Sequence, residues 1–143
     1  MSLCVRFMST PDLPESPHKG QRGLQRLFNA LFYSLSGLSL AFRHESAFRQ
    51  EVALAAVLVP LAFIVPVRAV ERVLLLGSVL FVFMVELLNS SVEAAIDRIS
   101  FDTHRLSKRA KDLGSAAVLI ALLMLAITWG LIVIAPIFAA WTR

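Results

Sequence analysis

Glu86, Asn89, Ser90, Glu93 and Asp97 recur at helical spacing in a segment free of glycine and proline. At about 3.6 residues per turn they share one stripe of an α-helix. Two carboxylates with an amide between them can take a proton from a hydroxyl, hold a hard cation such as Mg²⁺, or relay protons. The stripe continues an apolar run, residues 73–85, that carries no charge. Glu86 is roughly 16 Å along the helix from Asp97. If Asp97 and Arg98 mark the membrane surface, Glu86 is deep in the hydrocarbon. A charge there costs about 2.5–3.5 kcal/mol on insertion scales. Two such carboxylates on one face point to function, the plainer reading being a polar seam that joins helices by hydrogen bonds.

Two further polar groups flank this stripe. His44-Glu45-Ser46-Ala47-Phe48-Arg49-Gln50-Glu51 precedes an apolar run that starts at Val52. Most charges at such a border are simply solvated, but Glu45 is expected at the depth of Glu93, and two carboxylates at one depth can share Mg²⁺. The segment 100–110 holds Asp102, His104 and several basic residues, and Lys111-Asp112 follows. By itself His104 reads as a solvent-facing loop residue, and Lys111 beside Asp112 as charge pairing at a helix start. The glycines at 20, 23, 37, 77, 114 and 130 form no phosphate-cradling loop, and no zinc-ligand spacing occurs. A nucleotide would have to be bound by charged side chains and a metal.

The elements that must position these groups follow from composition. The chain has 143 residues, 57% of them hydrophobic, and a mean hydropathy of +0.73. That is one domain of an all-α integral membrane protein. The apolar runs 52–67, 73–96 and 113–140 predict three transmembrane helices, spanning about 47–67, 72–97 and 111–138. Pro60 is expected to kink the first of them. Gly114, Ser115, Ala116 and Ala117 suit close helix packing in the third, and Trp141 suits an interfacial anchor. Ahead of the spans, Leu24, Leu27, Phe28, Leu31, Leu35, Leu38 and Phe42 oppose Arg22, Arg26, Asn29, Ser36 and Arg43. This pattern predicts an amphipathic interfacial helix over about 21–43. Residues 1–20, with Pro11, Pro14, Pro17 and the single cysteine Cys4, read as a disordered leader.

The net charge of +4 bears on orientation rather than on nucleic acid, for which no partnership is expected. Arg6, Lys19, Arg22, Arg26, Arg43 and Arg49 precede the first span, and Arg98, Arg105, Lys108, Arg109 and Lys111 lie between the second and third. Only Arg68, Arg72 and Arg143 fall on the other side. The positive-inside rule then gives a cytoplasmic N-terminus and second loop, with a periplasmic C-terminus in a bacterial inner membrane.

Three motifs taken together resemble one family. Glu86-x-x-Asn89-Ser90-Ser91-x-Glu93-x-x-x-Asp97-Arg98, Glu45-Ser-Ala-Phe48-Arg49-Gln50-Glu51 and Arg109-Ala110-Lys111-Asp112-Leu-Gly114-Ser115 resemble, in order and spacing, the signature of the prokaryotic diacylglycerol kinases. The match runs from about Arg26 to the end of the third span. The resemblance implies a homotrimer with shared active sites. It implies transfer of a phosphoryl group from MgATP to the primary hydroxyl of diacylglycerol, a membrane lipid substrate. Carried over by position, Glu86 matches the catalytic base and Asn89 a catalytic polar residue. Glu45 and Glu93 match metal ligands within the ATP site. Arg26, Tyr33, Asp102, Thr103, His104, Lys111 and Asp112 match nucleotide-binding positions, and Ser34 and Ser115 lipid-side positions. The chain departs from the family at Leu35-Ser36, where Trp-Lys is frequent, and at Arg105, where an acid is common.

Three rivals remain at this level, one of them a non-catalytic assembly subunit. A proton or cation transporter subunit would also bury carboxylates in a stripe, although the outer halves of the first and third spans carry no charge. Within the enzymes, an undecaprenol kinase is the nearest alternative.

Overall fold

The structure, a computed structural model, describes residues 24–99 and 104–135. Four α-helices follow one another: α1 Leu24–His44, α2 Ser46–Ile64, α3 Ala69–Ile99 and α4 Arg105–Trp129, the last running on into a π-helical turn Gly130–Ile134. No strand occurs among the described residues. Among the described residues, those up to Ser36 belong to one compact unit and those from Gly37 onward to a second. The segments Ser46–Ile64, Ala69–Arg98 and Arg105–Ile134 are long and apolar enough to cross a membrane, as the three apolar runs predict. The leader lies outside the described residues, as does Trp141.

Identifiable bonds fix the corners between successive helices in the second unit. Glu45 alone separates α1 from α2. Its extended backbone (φ −97°, ψ 117°) starts the new helix, and its N–H still donates to Ala41 O at 2.8 Å. Arg49 Nη1 reaches back to the carbonyls of Phe42 (3.4 Å) and Arg43 (3.2 Å). Those oxygens belong to the last turn of α1, which has no helical donor left for them. Pro60 lies inside α2, and the helix continues through it to Ile64. At the far corner Arg72 Nε donates to Ala62 O at 3.0 Å and Nη2 to Val65 O at 3.4 Å. Glu71, in the first turn of α3, accepts from the backbone N–H of Arg68 at 2.8 Å, which is the reciprocal half of a capping box.

The helix that carries the third apolar run begins at Arg105, ahead of that run. Arg105 to Lys111 are good helix formers in the main, and their charge keeps them out of an apolar run without keeping them out of a helix. His104 caps this start, its Nδ1 accepting from Leu106 N at 3.3 Å.

In the second unit α3 packs against both α2 and α4. The core is Ala55 and Ala62 from α2, Leu75, Val79 and Val82 from α3, and Ala121, Leu125, Trp129 and Val133 from α4 and its π turn. Ala62, Leu75 and Ala121 are fully buried. Small residues at these crossings let backbones approach, which matters where lipid removes the hydrophobic drive between helices. Leu74, Leu80, Leu119, Ile120 and Leu123 face outward. At the Glu45 end, Phe48 of α2 meets Phe83 of α3 with ring centroids 5.5 Å apart. This contact docks the start of α2 against the middle of α3.

Candidate active site

The polar stripe of α3 forms one wall of a cavity of ≈ 340 Å³. Glu86, Asn89, Ser90 and Glu93 come from α3. Glu45, Ser46 and Ala47 close it from the α1–α2 corner, and Ser115 and Val118 from α4. Glu45 is brought there by the corner itself: the Arg49 bonds fix the turn and the Phe48–Phe83 contact presses it onto α3. Asn, Asp and Ser are the usual residues at a helix start because their side chains bond the first free N–H groups. Glu45 makes no such bond, and its carboxylate lines the cavity instead.

Glu86 is the most enclosed of these acids, 4% exposed. Glu93 and Glu45 both lie within its electrostatic reach. One turn along α3, Asn89 Nδ2 donates to Glu93 Oε1 at 3.1 Å, so the amide orients that carboxylate. Among the described residues three carboxylates line the cavity and no basic side chain does. Their mutual repulsion is relieved by a cation, and oxygen donors of this kind suit Mg²⁺. Among the described residues no group of three or more His, Cys, Asp or Glu side chains is placed to hold a metal ion by itself. Mg²⁺ is often held by one or two carboxylates, with phosphate oxygens and water completing its shell, and Glu45 and Glu93 are the cavity carboxylates that such a shell would use.

Asp97 continues the stripe but leaves the cavity. It accepts from Lys111 Nζ of α4 at 2.5 Å, with the two side chains 49% and 38% exposed. An exposed pair of this kind contributes about 0–1 kcal/mol. It fixes where Lys111 points more than it holds α3 to α4. Asp112 is exposed on α4, and His104 is exposed at its start. Arg26, Tyr33 and Ser34 belong to the first unit. There Ser34 Oγ donates to Ala30 O at 2.9 Å, Tyr33 meets Phe32 edge-on at 6.1 Å, and Arg26 is exposed. Asp102 and Thr103 lie outside the described residues.

One acid that sequence reasoning passed over stands out. Glu51 of α2 is 8% exposed, and its Oε2 finds no hydrogen-bond partner among the described residues. It sits beside a small cavity with Leu54, Ala55, Val79 and Leu125, within electrostatic reach of Glu86. The signal was present in the register. Phe48, Glu51, Ala55 and Ala62, all buried, repeat at helical spacing on one face.

Carboxylates gathered inside a membrane helix bundle suit both a kinase and a transporter, and sequence similarity separates the two. A family model, that of the prokaryotic diacylglycerol kinases, matches residues 32–133. The chain belongs to the prokaryotic diacylglycerol kinase family. It is therefore an enzyme, a transferase of the kinase class, and the transporter reading falls. A diacylglycerol kinase of Pseudomonas aeruginosa is 51% identical over 119 residues, covering 83% of this chain and 97% of the relative. The Escherichia coli K12 diacylglycerol kinase is 50% identical over 107 residues, covering 75% and 88%. One from Helicobacter pylori is 45% identical over 116 residues, covering 81% and 90%. The three-motif resemblance and this similarity fall on the same part of the chain.

Proposed function

We propose that this protein transfers the terminal phosphoryl group of MgATP to the primary hydroxyl of diacylglycerol, producing phosphatidic acid in the bacterial inner membrane. The observation that carries the proposal is that one cavity is lined by Glu45, Glu86, Asn89 and Glu93 together, in a chain whose relatives are diacylglycerol kinases. Glu86 is the general base. It accepts the hydroxyl proton as the lipid oxygen forms its bond to the terminal phosphorus and the bond to the bridging oxygen breaks, releasing ADP. Phosphoryl transfer demands positioning and charge neutralisation more than covalent chemistry, and a base inside the membrane boundary meets a lipid hydroxyl at headgroup depth. Glu45 and Glu93 are the metal ligands, and Asn89 orients Glu93. Mg²⁺, when bound, supplies neutralisation of the phosphate charge. The cavity volume is at the small end for ligand sites, enough for a glycerol headgroup and phosphates but not for acyl chains.

By resemblance, Arg26, Tyr33, Asp102, Thr103, His104, Lys111 and Asp112 contact nucleotide, and Ser34 and Ser115 contact lipid. The spacing of apolar residues along α1 supports its lying in the membrane interface. The distribution of Lys and Arg supports a cytoplasmic N-terminus and a periplasmic C-terminus. A homotrimer with sites shared between chains supplies the walls that one three-span chain lacks. The deciding experiment offers diacylglycerol and undecaprenol side by side to the purified full-length protein with labelled ATP and Mg²⁺, separating products by thin-layer chromatography. Label in phosphatidic acid is expected. Label in undecaprenyl phosphate alone would replace the acceptor, and label in neither would remove the lipid kinase reading.

A further inference from the structure

We propose that Gly114 is a positioning residue that holds the Asn89 amide against Glu93 by leaving it room on α4, an inference that rests on the role proposed above for Glu93. A carboxylate can only accept hydrogen bonds, so the NH₂ of Asn89 must face Glu93 Oε1, where it bonds at 3.1 Å. The amide oxygen is thereby turned the other way, toward α4. That oxygen is buried and has no hydrogen-bond partner among the described residues. Among the described residues nothing polar anchors this end of the amide. What fixes it is shape, because it fills the space that a side chain at position 114 would take. A Cβ built on Gly114 overlaps Asn89 Oδ1 and comes within 3.2 Å of Asn89 Cγ. Even one methyl group would evict the amide. Gly37, Gly77 and Gly130 offer a contrast, since a Cβ at any of them meets nothing within 4 Å. The missing side chain at 114 therefore serves this one contact.

A competing explanation is that Gly114 merely lets the α3 and α4 backbones approach. The two explanations separate in an Asn89→Ala background. There, among the described residues, nothing comes closer to the added Cβ than Asn89 Cβ at 3.9 Å, which is ordinary van der Waals contact. If Gly114 acts through the amide, a methyl group at 114 becomes harmless once the amide is gone.

The test uses the full-length protein in mixed micelles as wild type, Gly114→Ala, Asn89→Ala and the double variant. Two properties are measured: the thermal unfolding midpoint without metal or nucleotide, and the Mg²⁺ concentration for half-maximal turnover at saturating ATP. Gly114→Ala is expected to lower the midpoint in the wild-type background but not in the Asn89→Ala background. Each single variant should raise the Mg²⁺ requirement several-fold, and the double variant should be no worse than Asn89→Ala. Equal loss of midpoint in both backgrounds would assign Gly114 to helix spacing and overturn the proposal. So would an unchanged Mg²⁺ requirement in Gly114→Ala at reduced maximal turnover, because the amide would then not act through Glu93. If Gly114→Ala yields no folded protein, recovery of folded protein in the double variant supports the proposal and its absence overturns it. A wild type that phosphorylates no lipid would instead sink the proposed function, and the unfolding cycle would still decide whether Gly114 holds Asn89.

Discussion

In the proposed reaction the side chains of α3 divide the work by depth. Glu86, the most enclosed, takes the proton, while Glu93 and Glu45, the latter from the α1–α2 junction, hold the metal. Glu86→Gln keeps the volume and can still hydrogen-bond, but it cannot accept the lipid proton. Turnover is expected to fall by at least ~100-fold, the lower range of general-base catalysis, with MgATP binding little changed. Near-normal turnover in a folded Glu86→Gln protein would move the base elsewhere. Glu93→Gln removes one charge from the metal site and keeps an oxygen. It is expected to raise the Mg²⁺ requirement as well as lower the rate, and an unchanged Mg²⁺ titration would take Glu93 out of the metal shell. At this scale the stripe itself was legible, since helical spacing alone puts Glu86, Asn89 and Glu93 on one face. The departure of Asp97 was not. Its position on the stripe is the same kind of position, and only Lys111 on α4 draws it away.

At the scale of the elements, arginine side chains fix the corners between successive helices. The α1–α2 corner is fixed by Arg49 on the carbonyls of Phe42 and Arg43. The α2–α3 corner is fixed by Arg72, which bonds Ala62 O and Val65 O and lies over the Phe63 ring at 6.0 Å. Hydrogen bonds from a charged donor contribute about 1.5–3 kcal/mol when the group is shielded, and Arg72 is partly buried. Arg72→Met keeps much of the stem and loses both bonds. Stability is expected to fall by at least about 1.5 kcal/mol, read as a lower unfolding midpoint, while turnover per folded molecule stays near wild type because this corner is remote from the cavity lining. A large loss of turnover at full folding would show that the α2–α3 corner transmits to the site. The adjacent Arg68–Glu71 pair has its arginine side chain 84% exposed. It belongs to the class of exposed pairs that contribute little.

At the scale of the whole molecule, the proposed trimer makes the strongest demand. The carboxylates of the cavity must face protein or water rather than lipid, and three spans offer few walls. If Glu86 of one chain works with Lys111 of its neighbour, Glu86→Gln and Lys111→Leu are each inactive alone. Trimers refolded from an equal mixture regain about one intact site in four for random assembly around a closed ring. Lipid kinase activity after co-refolding, compared with mixing without unfolding, reads this directly. No recovery in demonstrated mixed trimers would place both residues in one chain's site.

The sequence by itself determined the number of spans and the existence of an acid-bearing face on α3. Both are local properties: hydrocarbon thickness sets the length of an apolar run, and the helical repeat sets which side chains align. The family was legible too, because the three motifs keep their order and spacing. Tertiary structure alone decided which groups meet across helices. It brought Glu45 and Ser115 to the same cavity as Glu86, buried Glu51 beside apolar neighbours, sent Asp97 to Lys111, and set Gly114 against Asn89. Such meetings depend on how far each helix is rotated about its axis and where it crosses its neighbour. Those quantities are settled by packing along the entire length of α2, α3 and α4, so no single segment of sequence carries them.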